Sequence, residues 1–211
     1  MQIKKVFRQE RKFLISGEQY YRFSRQFAEL FKEDSHNGKD GYMVRSLYFD
    51  TLGNKDFEEK LAGVECRRKM RLRIYSPQSR TALLEMKQKQ GSNQLKRSLT
   101  ISREHAEELM KGHYEVLLEY SDPFATECYG VLKTNCYIPK VIVEYKRMAF
   151  VFKENDTRIT FLKSHWKYLQ FHRNDIPGQV HGSALPVPVY SGISLQDEAS
   201  VHTLQGSCCI S

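Results

Sequence analysis

Lysine and arginine recur at every second residue in four stretches that otherwise resemble β-strands. These stretches are residues 10–14, 69–75, 85–89 and 145–147. Successive side chains of a strand point to opposite faces, so Arg71 and Arg73 share one face while Leu72 lies on the other. Guanidinium and ammonium groups bind phosphates, and neighbouring carboxylates bind divalent metals. The spacing therefore indicates a binding face for a polyanion and a divalent metal.

Alternating charges also occur on the solvated face of an ordinary antiparallel sheet. Their recurrence in four segments between residues 10 and 147 favours the functional interpretation. Like charges on neighbouring strands destabilise a sheet unless a ligand binds them. A sheet that curls into a barrel can direct such a face into a lumen. We therefore expect the four stretches to line one enclosed cavity.

Length and composition predict one globular domain without a membrane span. The chain has 211 residues, of which 40% are hydrophobic, and a net charge of +8. Residues 162–211 hold three basic and three acidic residues, so the positive excess lies in residues 1–161. Such a charge attracts phosphates. The N-terminus shows no signal-peptide pattern, so we expect a cytoplasmic protein.

The elements that must position these cations are strands interrupted by a few helices. Strands are predicted at residues 3–15, 42–50, 64–75, 81–89, 94–101 and 140–152, with another beginning at 158. Ser16 and Gln19 form the pattern of a capping box at the start of a helix, and further helices are predicted at 102–111 and 122–134. After Phe161 the charge density falls, and we expect residues 162–211 to be an atypical, poorly ordered tail, or weak strands at best.

Seven sequence segments, in order, resemble one known family. They are FRQERKFLIS at 7–16, VRSLYFDT at 44–51, RKMRLRIY at 68–75, LLEMKQK at 83–89, LKRSL at 95–99, VIVEYKRMAF at 141–150 and TRITF at 157–161. Together they resemble the VTC domain, the polyphosphate polymerase domain of the vacuolar transporter chaperone type. That family belongs to the triphosphate tunnel metalloenzymes, as do the CYTH proteins.

The resemblance implies an α+β fold, an antiparallel β-barrel of about eight strands around a basic tunnel, with a few flanking helices. The family's phosphate-binding cations match Lys12, Arg71, Arg73, Lys87, Lys96, Arg147 and Arg158. Among them, the resemblance assigns catalytic roles to Arg71, Arg73, Lys87 and Arg158. It places the metal, Mg²⁺ or Mn²⁺, on Glu10 and Glu85.

The resemblance to the family weakens after Phe161. Family members continue to a late strand of EVKY type, whose glutamate binds metal, and then to an SKY-like segment with another lysine. Neither segment follows Phe161 here. We therefore expect the C-terminal end of the barrel to be altered or to lack up to two strands, which leaves activity as an enzyme open.

The implied reaction transfers the γ-phosphate of ATP to the end of a growing inorganic polyphosphate chain. ATP and polyphosphate are then the ligands, and a membrane protein is a candidate partner. Two alternatives remain: a non-catalytic module that binds polyphosphate or nucleotide, and a CYTH-type triphosphatase. Binding of nucleic acid is disfavoured, because the cations follow strands and do not form a basic stripe on a helix.

Overall fold

The computed structural model describes residues 8–91, 93–152, 157–163, 169–170 and 191–198, with only the backbone for 8–12, 169–170 and 191–198. The strands are β1 Arg8–Ile15, β2 Lys32–Glu33, β3 Tyr42–Thr51, β4 Arg67–Ile74, β5 Thr81–Gln90, β6 Asn93–Ser102, β7 Tyr137–Phe152, β8 Thr157–Lys163, β9 Leu169–Gln170 and β10 Ser191–Glu198. The α-helices are α1 Gly17–Leu30, α2 Lys55–Leu61, α3 Arg103–Lys111 and α4 Pro123–Thr134, and a 3₁₀-helix spans Tyr114–Glu119.

Eight of the strands form one curled antiparallel sheet in the order β1-β10-β8-β7-β3-β4-β5-β6, and the two-residue strands β2 and β9 both pair with β7. Within the described part of the chain, no pairing joins the end strands β1 and β6. The sheet is therefore a half-barrel, and the predicted α+β fold with flanking helices is confirmed.

Helix α1 covers one half of the convex face. It begins with the predicted capping box, in which Ser16 accepts a hydrogen bond from the Gln19 amide while the Gln19 side chain accepts one from the Ser16 amide. These two bonds satisfy amides that have no partner within the helix. Tyr20 of α1 packs edge-on against Phe161 and lies in one buried cluster with Phe150.

Helices α3 and α4 and the 3₁₀-helix cover the other half of the convex face. Alternate residues of the central strands, such as Met70, Leu84 and Leu99, are buried beneath Leu109 and Leu132 of these helices. Because strand side chains alternate, burying this apolar set leaves the opposite set of polar and charged residues on the concave face. The core thus fixes which side of the sheet carries the cations.

Strand β3 begins very close to strand β7. Gly41, immediately before β3, has a φ of +79°. A Cβ atom at this position would lie 2.3 Å from the carbonyl oxygen of Arg147. Only glycine fits, because it tolerates positive φ and has no side chain. This contact fixes the β7 backbone at one of the predicted phosphate-binding residues.

Residues beyond Phe161 contribute to the sheet. Strand β8 continues to Lys163, and strand β10 lies between β8 and β1, antiparallel to both. The predicted domain boundary between residues 161 and 162 stays a prediction, since no observation separates two units there. No helix among the described residues has the length and apolar character that a membrane crossing requires.

Candidate functional site

The buried carboxylate of Glu85 is the centre of a cation cluster on the concave face. The strand register places Arg71 opposite Glu85 on one side and Ser98 on the other. Glu85 has only 1% of its surface exposed. Its Oε2 lies 2.7 Å from Nε of Arg71 and 3.8 Å from Nε of Arg73, while Lys96 contacts Oε1. Strand pairing has therefore gathered three of the predicted cations around one predicted metal ligand.

The cations keep Glu85 ionised. Burial by itself raises the pKa of this carboxyl group, but Arg71, Lys96 and Arg73 more than offset this effect and lower the pKa to about 2. One negative charge is thus surrounded by three positive charges. The cluster has an excess of positive charge, and such an excess on a water-poor surface attracts an anion.

Arg71 is held in one orientation by two strands. Its Nε donates to Glu85 on β5, and its Nη1 donates to the Tyr48 hydroxyl on β3 at 2.9 Å. Burial lowers the pKa of Arg71, but Tyr48 and Glu85 more than offset this and raise it. For Tyr48, burial acts in the opposite direction and raises the pKa. The charge and hydrogen bond of Arg71 more than offset this effect, so the pKa of Tyr48 is lowered. Arg71 is therefore a fixed, permanently charged donor.

Arg73 connects the Glu85 cluster to strand β7. Its side chain is buried and donates from Nε to the Ser46 hydroxyl at 3.1 Å and from Nη2 to the Tyr145 hydroxyl at 3.4 Å. Ser46 belongs to β3, which neighbours β4 in the sheet, and Tyr145 belongs to β7, the next strand beyond β3. Arg73 thus bridges the β4–β6 half of the concave face and the β7–β8 half.

Three lysines form a row across three neighbouring strands. The register pairs Lys69 of β4 with Lys87 of β5, and Lys87 with Lys96 of β6. Directly opposite residues in an antiparallel sheet have Cβ atoms about 5 Å apart, so these ammonium groups repel one another. Burial is the main cause that lowers the pKa of Lys69. Lys69 was not among the predicted site residues, although it follows the same alternation as Arg71.

Arg147 lies in the second half of the concave face. Its Nη2 donates to the Thr160 hydroxyl at 3.3 Å, and its guanidinium carbon lies 5.8 Å from the centroid of the Tyr42 ring. Its Nε is buried and has no hydrogen-bond partner. A buried donor without an acceptor is costly, so this atom is available for an anionic oxygen.

Arg158 is paired with a carboxylate from outside the sheet. It contacts Asp34, which also accepts a hydrogen bond from the backbone amide of His36 at 3.1 Å. Burial raises the pKa of Asp34, but the bonds from His36 and the charge of Arg158 together lower it below its usual value. Asp34 therefore places a negative charge where the family resemblance expects a phosphate.

The two N-terminal predictions are located by backbone register alone. Lys12 pairs with Ser194, which in turn pairs with Thr160 of β8. Glu10 pairs with Gln196, which pairs with Arg158. Both residues thus stand in the same cross-strand rows as Thr160 and Arg158. Their side chains lie outside the described set, so their roles as cation and metal ligand stay predictions.

The described side chains do not by themselves form a metal-binding cluster. Within the described ranges no group of three or more His, Cys, Asp or Glu side chains could hold a metal ion. The carboxylate of Glu85 is taken up by Arg71, Arg73 and Lys96. The predicted role of Glu85 as a metal ligand is not tested by this arrangement, because a metal could also enter with a bound phosphate chain.

Sequence reasoning missed the polar residues that orient the cations. Ser46, Tyr48 and Tyr145 alternate onto the concave face of predicted strands, so the pattern that identified the arginines could have identified them. Asp34 carried no such signal. It lies in a loop between β2 and β3, and only the tertiary fold brings it to Arg158.

A curled antiparallel sheet with a cation-lined concave face and helices outside it defines a protein of the triphosphate-tunnel fold. The sequence profile of the VTC domain matches residues 7–190, so the chain belongs to the VTC domain family. The match confirms the resemblance and extends past Phe161. No sequence match was found among curated proteins.

Solved structures share the fold at low sequence identity. A candidate adenylate cyclase from Bacillus halodurans is 14% identical, with a TM-score of 0.56 over 91% of this chain and 81% of its own. A candidate adenylyl cyclase from Hippeastrum, described as having a dominant triphosphatase activity, is 13% identical. Its TM-score is 0.52 over 90% of this chain and 79% of its own.

Proposed function

We propose that the concave face binds ATP and inorganic polyphosphate, and that the protein transfers the γ-phosphate of ATP to the end of the polyphosphate chain. The observation that carries this proposal is the length of the cation array. Strand β4 carries a row of four basic residues on one face, at positions 67, 69, 71 and 73. This row is about 20 Å long. A triphosphate, with only two P–O–P links, covers part of such an array, whereas a polymer covers all of it.

Arg71 and Arg73 have the central role in this proposal. Both are fixed by hydrogen bonds to neighbouring strands, so they need no rearrangement when negative charge develops on the transferred phosphoryl group. Phosphoryl transfer requires mainly positioning and charge stabilisation from a protein. Lys87 and Lys96 supply further positive charge on the adjoining strands.

Arg147 and Arg158 hold the other part of the phosphate chain. The free Nε of Arg147 donates to a phosphate oxygen. Arg158 exchanges its contact with Asp34 for a phosphate, which carries more charge than a carboxylate. ATP is expected to arrive with Mg²⁺ or Mn²⁺, which aligns phosphoryl oxygens and neutralises part of their charge.

Two other functions remain as alternatives, each with one supporting observation. The triphosphatase activity described for the Hippeastrum protein, which shares the fold, supports a CYTH-type triphosphatase, in which water replaces the polyphosphate end. The cations that surround Glu85 support a non-catalytic binder, because they occupy the carboxylate that the family resemblance assigns to metal. A cytoplasmic location and a membrane-protein partner stay predictions.

One assay distinguishes the three functions. The protein is incubated with ATP and Mn²⁺, then polyphosphate is resolved on a gel and free phosphate is measured by colorimetry. Long chains with ADP support the polymerase, and phosphate without chains supports the triphosphatase. Tight binding of polyphosphate with neither product supports the binder. If neither polyphosphate nor tripolyphosphate binds and neither product forms, every function based on the concave face is wrong.

A further inference from the structure

A second cleft lies on the side of the sheet opposite Glu85. It has a volume of about 710 Å³ and is bounded by α2, by one end of strands β4 to β6, and by the turn from α4 into β7. Arg68 and Gln88 line it and form a cross-strand pair. Both alternate onto the face of Met70, which belongs to the buried core. Most of the cleft therefore lies on the face opposite Glu85, while Arg67 and Lys89 at its rim alternate onto the concave face.

The carboxylate of Asp56 is the deep polar group of this cleft. Asp56 is only 4% exposed. Its backbone amide donates to Asp50 at 2.9 Å, and its Oδ1 accepts a hydrogen bond from the Tyr137 hydroxyl at 2.7 Å. Its Oδ2 is buried and has no hydrogen-bond partner. Buried polar atoms in folded proteins are rarely left in this state.

The environment of Asp56 leaves the carboxylate in need of a donor. Burial raises its pKa to about 6, an effect that the Tyr137 hydrogen bond only partly opposes. A buried oxygen without a donor is costly, and an N–H group placed against Oδ2 would remove that cost.

The rim of the same cleft is basic. Four cationic residues line it, and of these Lys55 is paired with Glu59 at 3.8 Å. The cations are Lys55, Arg67, Arg68 and Lys89. They outnumber the two acidic lining residues, Asp56 and Glu59, so the rim favours an anionic group. Amide side chains of Asn93 and Asn135 complete a lining that is mostly polar.

We propose that this cleft is a binding site for a nucleoside monophosphate. A base N–H donates to Oδ2 of Asp56 at depth, and the phosphate lies against Arg68 at the rim. The two requirements, a donor and an anion within one small molecule, are both met by this ligand class. The volume falls within the range of about 300–1,000 Å³ that is usual for small-molecule sites.

The test uses radiolabelled AMP in equilibrium dialysis with the full chain. We expect one AMP per protein, and we expect that tripolyphosphate, which occupies the concave face, does not displace it. Asp56→Asn should weaken AMP binding about tenfold, because the amide nitrogen that replaces Oδ2 cannot accept the ligand's proton. Arg68→Gln should weaken AMP binding as well, and adenosine should bind less tightly than AMP.

Matched measurements separate this site from the concave face. Asp56→Asn is expected to bind tripolyphosphate as the wild type does, which also verifies its fold. Arg71→Gln is expected to lose tripolyphosphate binding and retain AMP. The proposal is overturned if AMP does not bind, if tripolyphosphate displaces it, or if both Asp56→Asn and Arg68→Gln bind AMP normally. These outcomes leave the proposed function of the concave face untouched.

Discussion

At the residue scale, Glu85 organises the cations. Three positive side chains would repel one another on adjoining strands, and the single buried carboxylate holds them in place. Removing one partner from a buried ion cluster is strongly unfavourable, because it leaves a charge without compensation. The arginines that contact Glu85 are therefore orientated before any ligand arrives.

Replacing Arg71 tests its role as a phosphate ligand. Arg71→Gln should weaken tripolyphosphate binding at least tenfold, since it removes a fixed charged donor from the centre of the array. The matched control is Arg45→Gln, because Arg45 is also an arginine on a central strand but pairs with Glu144 and alternates onto the other face. Isothermal titration calorimetry measures the affinity of both variants for tripolyphosphate. Equal losses in the two variants would contradict a specific role for Arg71.

The pH dependence of stability reports on Glu85. Its folded pKa of about 2 lies below the value of about 4.3 expected in the unfolded chain. The resulting stabilisation is present above pH 4.3 and is lost as the pH falls toward 2, by up to about 3 kcal/mol. Urea unfolding between pH 5 and pH 2.5 should show this loss in the wild type.

The Glu85→Gln variant should lose less stability than the wild type between pH 5 and pH 2.5, because the titrating group is gone. Glu107→Gln is the control, since Glu107 lies far from Glu85 in the sequence and makes a partly exposed ion pair with Arg103 within α3. The stability of Glu107→Gln should depend on pH as that of the wild type does. A Glu85→Gln profile identical to that of the wild type would show that Glu85 does not have a depressed pKa.

At the scale of elements, the close approach of β3 to β7 depends on one glycine. Gly41→Ala would place a methyl group 2.3 Å from the Arg147 carbonyl oxygen in a backbone with positive φ. We expect a loss of about 1–3 kcal/mol in the free energy of unfolding. Gly53→Ala is the control, because no heavy atom lies within 4 Å of its added Cβ. Denaturant unfolding measures the free energy of unfolding of both variants.

The strands were predictable from sequence where alternation was strong. The burial of Met70, Leu72 and Leu84 on one face, opposite Arg71 and Glu85, follows directly from the period of two. The register was not predictable, because sequence spacing does not say that Lys87 stands between two other lysines. Nor could the pattern locate Asp34, whose contact with Arg158 joins residues far apart in the chain.

The C-terminal part of the sheet was the least predictable element. Strand β10 has the sequence SGISLQDE, which lacks the alternating charges that marked the other strands. Its place in the sheet depends on pairing with β1 and β8. Such tertiary pairing overrides weak local propensity, which is why the sequence alone indicated a poorly ordered tail, or weak strands at best.

At the scale of the whole molecule, β10 joins the N-terminal strand to the rest of the sheet. Deletion of residues 191–211 should remove the strand that pairs with β1, so we expect amides of Arg8–Ile15 to lose protection from hydrogen exchange. Binding of tripolyphosphate should also weaken if Lys12 contributes a cation. Deletion of residues 199–211 is the control, because it leaves β10 in place. If the amides of Arg8–Ile15 are equally protected in the two truncated chains, β10 does not hold β1 in the sheet.

The row formed by Lys69, Lys87 and Lys96 has a practical consequence for handling the protein. Adjacent ammonium groups favour any counter-ion that reduces their repulsion, so the isolated protein should retain phosphate or sulfate from its buffers. Extensive dialysis against a chloride buffer of low ionic strength should then lower the melting temperature. Assays that begin from such stripped material will measure tighter binding than assays that begin from protein prepared in phosphate.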